Sequence, residues 1–309
     1  MEMLINLYRK YISKKYRDVI YQLFLRRILN YIRARNRDKI NDLLAVEIPK
    51  YYLANNISCS EECLCAANWI CNNGFSVFPY DYTFKYKSIK IEVYCCKESG
   101  LKYVLHDNKR LYFPKEFSKR NCVNYYLGLL EEQDVASPHR YNYDPFYEKH
   151  ISTLLDIGAA EGIFALSVID YVDKVYLFEC DSHWWKALEW TFKPYEDKVE
   201  IVHRYVSDQS DEKSLITIDS FLFNKRKFSS CYIKMDIEGA ELSALMGSTD
   251  SLNKESVYLS VCTYHTDKDA EFIHKFLVEY GFECRFTFGV MAFGTTPPYF
   301  RKGVLYANK

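Results

Sequence analysis

The sequence predicts an α/β fold in its C-terminal half: a mostly parallel sheet covered by helices on both faces, preceded by a helical region and a small α+β segment. Three observations carry this. Short apolar runs alternate with helical patterns from Ile151 to Lys309, as expected of parallel strands buried on both faces. A turn of small residues, Gly158-Ala159-Ala160-Glu161-Gly162, follows the first run directly. The next run ends at Glu179, 21 residues after Gly158, a distance at which a carboxylate can receive the hydroxyls of a ribose.

Residues 1–74 read as helical. Between Asp18 and Arg35, Ile20, Phe24, Ile28 and Ile32 recur every four residues, and Tyr21, Leu25 and Leu29 widen the stripe. Arg and Lys outnumber acids there. Two readings fit: a solvated basic face above an apolar docking stripe, or peripheral contact with an anionic membrane surface. Residues 75–150 read as a small α+β extension. Ile89 to Tyr94 alternates like a strand. Tyr103–Leu105 and Arg110–Phe113 form two more, joined by a turn at Asp107-Asn108. Glu116 to Gln133 follows as a helix, with Phe117, Tyr125, Leu127, Leu129 and Leu130 as its apolar positions, and Pro138 marks a break. Residues 151–309 hold the repeating pattern, with strands at Thr153–Ile157, Val175–Phe178, Val199–Val202, Ser230–Ile233 and Val257–Val261.

Lys and Arg total 41, as do Asp and Glu. Zero formal charge gives no general electrostatic reason to bind nucleic acid. The 11 cysteines are scattered and odd in number, and charges interrupt the first apolar residues from Arg9 onward. They read as reduced thiols of a cytoplasmic protein. The cluster Cys59, Cys63, Cys65 and Cys71 lacks the paired Cys-x-x-Cys hooks of a zinc site. No apolar run reaches the length that spans a bilayer.

The turn after the first parallel strand is the strongest local signal. Gly158, Ala160 and Gly162 stand at alternating positions, where backbone can approach a ligand closely. With Glu179 they form a nucleoside-binding βαβ unit. A dinucleotide needs a helix N-terminus open to pyrophosphate, yet Glu161 stands where the pyrophosphate would come. Asp156 and Glu161 suit a cofactor carrying a sulfonium and an ammonium better. An NAD(P)-dependent oxidoreductase on the same unit remains the alternative enzyme, and a non-catalytic cofactor-binding or interaction module the alternative of another class.

The segment Asp156-Ile157-Gly158-Ala159-Ala160-Glu161-Gly162 resembles the first motif of Rossmann-like methyltransferases, and Phe178-Glu179-Cys180-Asp181 the acidic end of their second strand. Val206-Ser207-Asp208 resembles the loop that meets the adenine, and Ile218-Asp219-Ser220-Phe221 the turn before the fourth strand. Lys234-Met235-Asp236-Ile237-Glu238-Gly239-Ala240-Glu241 has the Lys-x-Asp-x-Glu-Gly-x-Glu pattern typical of the FkbM family. Cys180 departs from the proline usual there. Thr263-Tyr264-His265 resembles a further family segment. The resemblance covers 151–309 and implies a Rossmann-like class I methyltransferase with a seven-stranded, mostly parallel sheet whose last strand is antiparallel. It implies S-adenosylmethionine as cofactor and a hydroxyl of a sugar, glycan or other small molecule as acceptor.

A hydroxyl acceptor loses its proton as the methyl arrives, which favours a positioned base. His265 and Asp236 are the candidates. The cofactor set is Asp156, Gly158, Ala160, Glu161, Gly162, Glu179, Ser207, Asp208 and Asp236. Glu238, Tyr264 and Arg140 are candidates for holding substrate, Arg140 by gripping a carboxylate. Glu238 and Glu241 also read as acids at a helix start. Asp236, Glu238 and Asp219 could hold a divalent cation, but no metal is expected.

Overall fold

The computed structural model describes residues 26–54, 59–223, 225, 229–254 and 256–309, with side chains from residue 37 onward. The chain divides into two compact units, Met1–Ser76 and Val77–Lys309. In the first, α1 (Arg26–Pro49) packs with α2 (Glu61–Asn73). Ser60 caps α2 by accepting the Cys63 N–H, Glu61 and Glu62 complement the helix dipole, and Gly74 ends it at φ 86°. The stripe from Ile20 to Ile32 falls outside the residues whose side chains are described.

The second unit opens with a 3-10 turn (Asp81–Ser88) and a three-stranded antiparallel sheet of β1 (Tyr94–Cys95), β2 (Lys102–His106) and β3 (Lys109–Phe113). Asp107 and Asn108 both take positive φ, 48° and 64°, as a two-residue hairpin turn of the right twist requires. The strand expected from Ile89 shrinks to its last residue and Cys95: residues 89–93 pair with nothing in the sheet. Alternation alone does not make a strand without a partner edge. α3 (Lys119–Glu132) is capped by Ser118, and α4 (Asp144–Glu148) follows.

The seven-stranded sheet then forms from β4 (Ile151–Ile157), β5 (Val172–Phe178), β6 (Val199–Val202), β9 (Cys231–Met235), β10 (Val257–Cys262), β11 (Glu283–Phe286) and β14 (Val304–Asn308). Between them lie α5 (Ile163–Val168), α6 (Ser182–Phe192), the short pair β7 (Tyr205–Val206) and β8 (Leu215–Ile216), α7 (Ile218–Phe223), α8 (Glu241–Met246), α9 (Thr249–Leu252), α10 (Asp269–Glu279), and the pair β12 (Met291–Ala292) and β13 (Phe300–Arg301). The strand order is β11-β14-β10-β9-β4-β5-β6, and β14 runs antiparallel to both neighbours while the other pairings are parallel. This is the Rossmann-like arrangement with an antiparallel last strand.

Alternation along the strands separates two cores. Leu154, Val175, Leu177 and Tyr232 point to one face, and Leu155, Ile157, Tyr176 and Ile233 to the other. The first face also buries Phe78, Val104, Leu111, Phe113, Cys122 and Tyr126. Residues 77–150 therefore complete the core of the large sheet. Among the described residues, no helix is long and apolar enough to cross a membrane.

Candidate active site

The parallel strands end along one edge, where an open α/β sheet presents its ligands. The turn after β4 depends on Gly158. Its φ is 77°, and a Cβ there would stand 1.9 Å from the carbonyl oxygen of Asp236. The close approach expected toward a ligand is thus made to the chain itself, where the turn passes the end of β9. Gly162 likewise serves packing: at φ 83° it precedes α5, and a Cβ would fall 2.6 Å from Phe192. Ala160, also at positive φ, donates its N–H to Glu179 Oε2 at 2.8 Å. Glu179 Oε1 accepts the Asp181 N–H at 2.7 Å. Two backbone donors fix the carboxylate, and each oxygen retains acceptor capacity for a hydroxyl.

A cavity of about 360 Å³ lies over this edge. Gly158, Ala160 and Glu179 form its floor, and Trp184, Val206 and Ile237 give apolar walls. Arg204 at the wall is engaged by the carbonyls of Asp211 and Leu215. A carboxylate for ribose beside apolar walls for a base suits an adenosyl group. Ser207 and Asp208, expected at the adenine, lie one step beyond the wall and hydrogen-bond each other and Ser243; Tyr205 and Val206 line it instead. Asp156 sits behind the turn, 3.0 Å from Lys234 Nζ. Lys234 also donates to Gly158 O at 2.6 Å, so the pair holds the turn's shape. Burial opposes the charge on Lys234, but Asp156 and Asp236 outweigh it and raise its pKa.

Asp236 ends β9 at the junction of several elements. Its Oδ2 accepts from Tyr141 Oη at 2.8 Å and its Oδ1 from Tyr264 Oη at 3.1 Å. His265 Nε2 lies 3.4 Å from Oδ1, and His139 Nε2 3.7 Å from Oδ2. Burial works against its ionisation, but Lys234, the two histidines and the Tyr141 hydroxyl prevail and hold the carboxyl below its usual range. His265 Nδ1 stands 3.1 Å from Glu241 Oε1. Burial alone would lower the histidine's pKa, yet Glu241, Asp236 and Glu238 raise it. Burial pushes His139 down to about 4, and it stays neutral.

The structure brings His265, Asp236 and Tyr264 together and leaves Glu238 on the rim, its side chain 93% exposed and 3.8 Å from His265 Nε2. Arg140 corrects its expectation. It lines neither cavity of this region, donates to Gln133 O at 2.6 Å and lies over the Tyr143 ring. Glu241 does not project to solvent as a helix-start acid. It turns back, 1% exposed, accepts the Ile237 N–H at 2.8 Å and faces His265. Asp219 accepts from Asp250 and Ser251 at the start of α9, so its carboxylate is committed there. Two other groups, His139–Asp236–Cys262 and Asp236–Glu241–His265, bring ligand-type atoms within 4.8 Å. Hydrogen bonds and ion pairs account for the Asp236–Glu241–His265 closeness. Tyr141, His139 and Glu241 were not placed in the site from sequence. Glu241, five residues after Asp236, is visible as part of the motif but not as a partner of His265, and a tyrosine ten residues before β4 gives no local signal of convergence.

A family model described as the methyltransferase FkbM domain matches residues 142–284. Residues 142–284 are an FkbM methyltransferase domain. The cofactor is S-adenosylmethionine, and the nicotinamide alternative falls away. No curated protein matches the chain. Among solved structures, the chain is similar to a methyltransferase FkbM from Methylobacillus flagellatus, at 17% identity and a TM-score of 0.42 over 60% of this chain and 52% of that one. It spans about half the length of that protein. It is also similar to a precorrin-6y C5,15-methyltransferase from Geobacter metallireducens, at 13% identity and TM-score 0.37 over 54% and 85% of the two chains. An rRNA methylase from Streptococcus thermophilus aligns at 13% identity and TM-score 0.37, over 56% and 96%. In this domain Glu179 and the Gly158 turn could hold the adenosyl group, and Asp236, with His265 3.4 Å from its Oδ1, lines the same cavity.

Proposed function

We propose that the chain is an O-methyltransferase whose acceptor is a hydroxyl of a sugar, glycan or other small molecule, with His265 as the general base. S-adenosylmethionine supplies a methyl group on an electrophilic sulfonium. The observation that carries the reading is the file Glu241–His265–Asp236, with spacings of 3.1 and 3.4 Å. Glu241 faces Nδ1 and Nε2 faces Asp236, which lines the cavity, and a carboxylate at Nδ1 orients an imidazole and favours its cation. Asp236 receives two tyrosine hydroxyls and has a lowered pKa, which suits orientation better than proton uptake. Tyr264 and the rim acid Glu238 then contact the acceptor. An acceptor of this size agrees with the zero net charge, which offers no footprint for nucleic acid. We propose a cytoplasmic setting from the 11 free cysteines. Peripheral membrane contact through the basic N-terminal segment remains a proposal from sequence.

The test is a screen of hydroxylated acceptors with wild type and His265→Gln, read as S-adenosylhomocysteine formed. Turnover with a hydroxyl acceptor, lowered about 100-fold or more in the variant while S-adenosylhomocysteine still binds, supports the reading. Equal turnover in both removes His265 from proton transfer.

A further inference from the structure

Between β11 and β14 the chain leaves the sheet, forms the hairpin β12–β13 and returns. The return runs along the segment that carries His265: the Thr263 N–H donates to Gly303 O at 2.8 Å. The extension fastens the other strand of the hairpin. The Ala292 N–H donates to Val77 O at 2.9 Å. Tyr80 Oη receives the Val290 N–H at 2.7 Å and donates to Val290 O at 3.1 Å. One hairpin face is turned to Tyr264 and His265. Met291 and Phe293 are two residues apart, and Met291 pairs with Arg301 across the hairpin, so alternation puts all three side chains on one face. The contacts agree. The Phe293 ring meets Tyr264 edge-on, with centroids 4.7 Å apart, and stands 6.3 Å from the His265 ring. Phe293 is nonetheless 42% exposed, so this face stays open to solvent beside the proposed base. Arg301 reaches the same residue, its Nη1 donating to Tyr264 O at 3.1 Å.

That one bond uses little of what Arg301 offers. A guanidinium carries five N–H donors in a fixed fork. The Arg301 Nε is buried with no hydrogen-bond partner, and among the described residues no carboxylate pairs with the side chain. Arg301 is itself half-buried, and a half-buried cation without a counter-ion is costly. An oxyanion on a ligand would relieve that cost with a bidentate pair. Around His265 the charges have the opposite sign, since Asp236, Glu238 and Glu241 all face it. The two ends of this wall therefore sort a ligand by charge: acids beside the base, an uncompensated cation on the hairpin.

We propose that the β12–β13 hairpin is the wall that selects the acceptor, and that Arg301 binds an oxyanion on it, so that the substrate is an acidic hydroxyl compound such as a uronic acid or a sugar phosphate. The inference rests on the O-methyltransferase reading and narrows its substrate class. Repulsion by Asp236 and Glu238 turns the anionic end away from His265, and Arg301 holds it, which presents a hydroxyl from the other end to the base. The exposed Phe293 ring lies between as an apolar contact for the body of the acceptor. Arg301 and Phe293 lie beyond residues 142–284, which match the family model, so the selecting wall belongs to the part of the chain outside the match.

The experiment is a turnover screen of the full chain with S-adenosylmethionine and hydroxylated acceptors in acidic and neutral pairs, led by glucuronic acid against glucose, galacturonic acid against galactose, and glucose 6-phosphate against glucose. The first two pairs test a carboxylate and the third a phosphate. Wild type should favour the acidic member of the productive pair by about tenfold or more in kcat/KM. Arg301→Gln should reduce that ratio by about tenfold or more, chiefly through a raised KM for the acidic member. Arg301→Lys keeps the charge without the fork and should fall between the two. Calorimetric binding of S-adenosylhomocysteine to each variant checks that the fold and the cofactor site are intact. Preference of wild type for the neutral members, or a ratio that Arg301→Gln leaves unchanged, overturns the inference and leaves the O-methyltransferase reading standing. Turnover of no hydroxyl compound by wild type removes both.

Discussion

At the scale of single residues, the site turns on what faces His265. Its pKa is raised in the fold because Glu241, Asp236 and Glu238 outweigh burial. The stabilisation from this charge is present in full below the ordinary histidine value of 6.5 and is lost as pH rises through the raised one. Activity should move the opposite way, since the imidazolium cannot accept a proton. Glu241→Gln should therefore shift the rising limb of kcat against pH to lower pH and lower the plateau by about tenfold to 100-fold. A pH profile that only scales down, with no displaced limb, would make Glu241 merely structural. Gly158 offers a second test. Gly158→Ala combines positive φ with a Cβ 1.9 Å from Asp236 O, whereas Gly100→Ala carries a φ of 71° and meets nothing within 4 Å. Gly158→Ala should cost on the order of 3 kcal/mol or more and Gly100→Ala about 1 kcal/mol in urea unfolding. The glycine was legible in sequence as a turn, but the atom it avoids was not, because that atom lies 78 residues away in Asp236. The same reason hid Tyr141 and the pairing of Glu241 with His265: tertiary convergence leaves no periodic trace.

Secondary-structure elements were far easier to read. The buried strands β4, β5, β9 and β10 announce themselves as apolar runs, since both faces are covered. The hairpin β2–β3 announces itself through Asp107-Asn108, whose positive φ values few other residues tolerate. Residues 89–93 misled because alternation reports a half-buried face and says nothing about a neighbouring edge to pair with. One cross-element link was also invisible: Lys234 on β9 meets Asp156 on the adjacent β4, in register across the pair. Both side chains are buried, at 5% and 1% exposure. Lys234→Met should leave Asp156 without its cation and cost about 3–5 kcal/mol. The double variant with Asp156→Asn should recover much of that loss, because the uncompensated charge has gone. Equilibrium denaturation of wild type, both single variants and the double variant measures the coupling, and strict additivity would show that the pair does not hold the strands.

For the molecule as a whole, the question is how much chain the catalytic domain needs. Residues 142–284 suffice to match the family, and the sequence pattern places the start of the sheet domain at residue 151. The core says otherwise. Phe78, Val104, Leu111, Phe113, Cys122 and Tyr126 are buried in one cluster with Ile151, Leu154, Phe164 and Val175. Removing residues 77–141 would expose that face of the sheet, at about 25 cal/mol for each Å² of apolar surface, and would delete Tyr141 from the site. A fragment of residues 77–309 should unfold cooperatively and bind S-adenosylhomocysteine. A fragment of residues 142–309 should fail in both, with a dye-binding, non-cooperative transition. Ligand-free stability adds a pH signature to the larger fragment. Glu132 and Glu161 titrate at about 8 and 7 instead of 4.5, so stability present below 4.5 is lost as pH rises toward 8. Glu132→Gln should flatten that fall. A wild-type stability that stays level from pH 5 to pH 8 without ligand would mean that the extension closes the core without loading the site with charge.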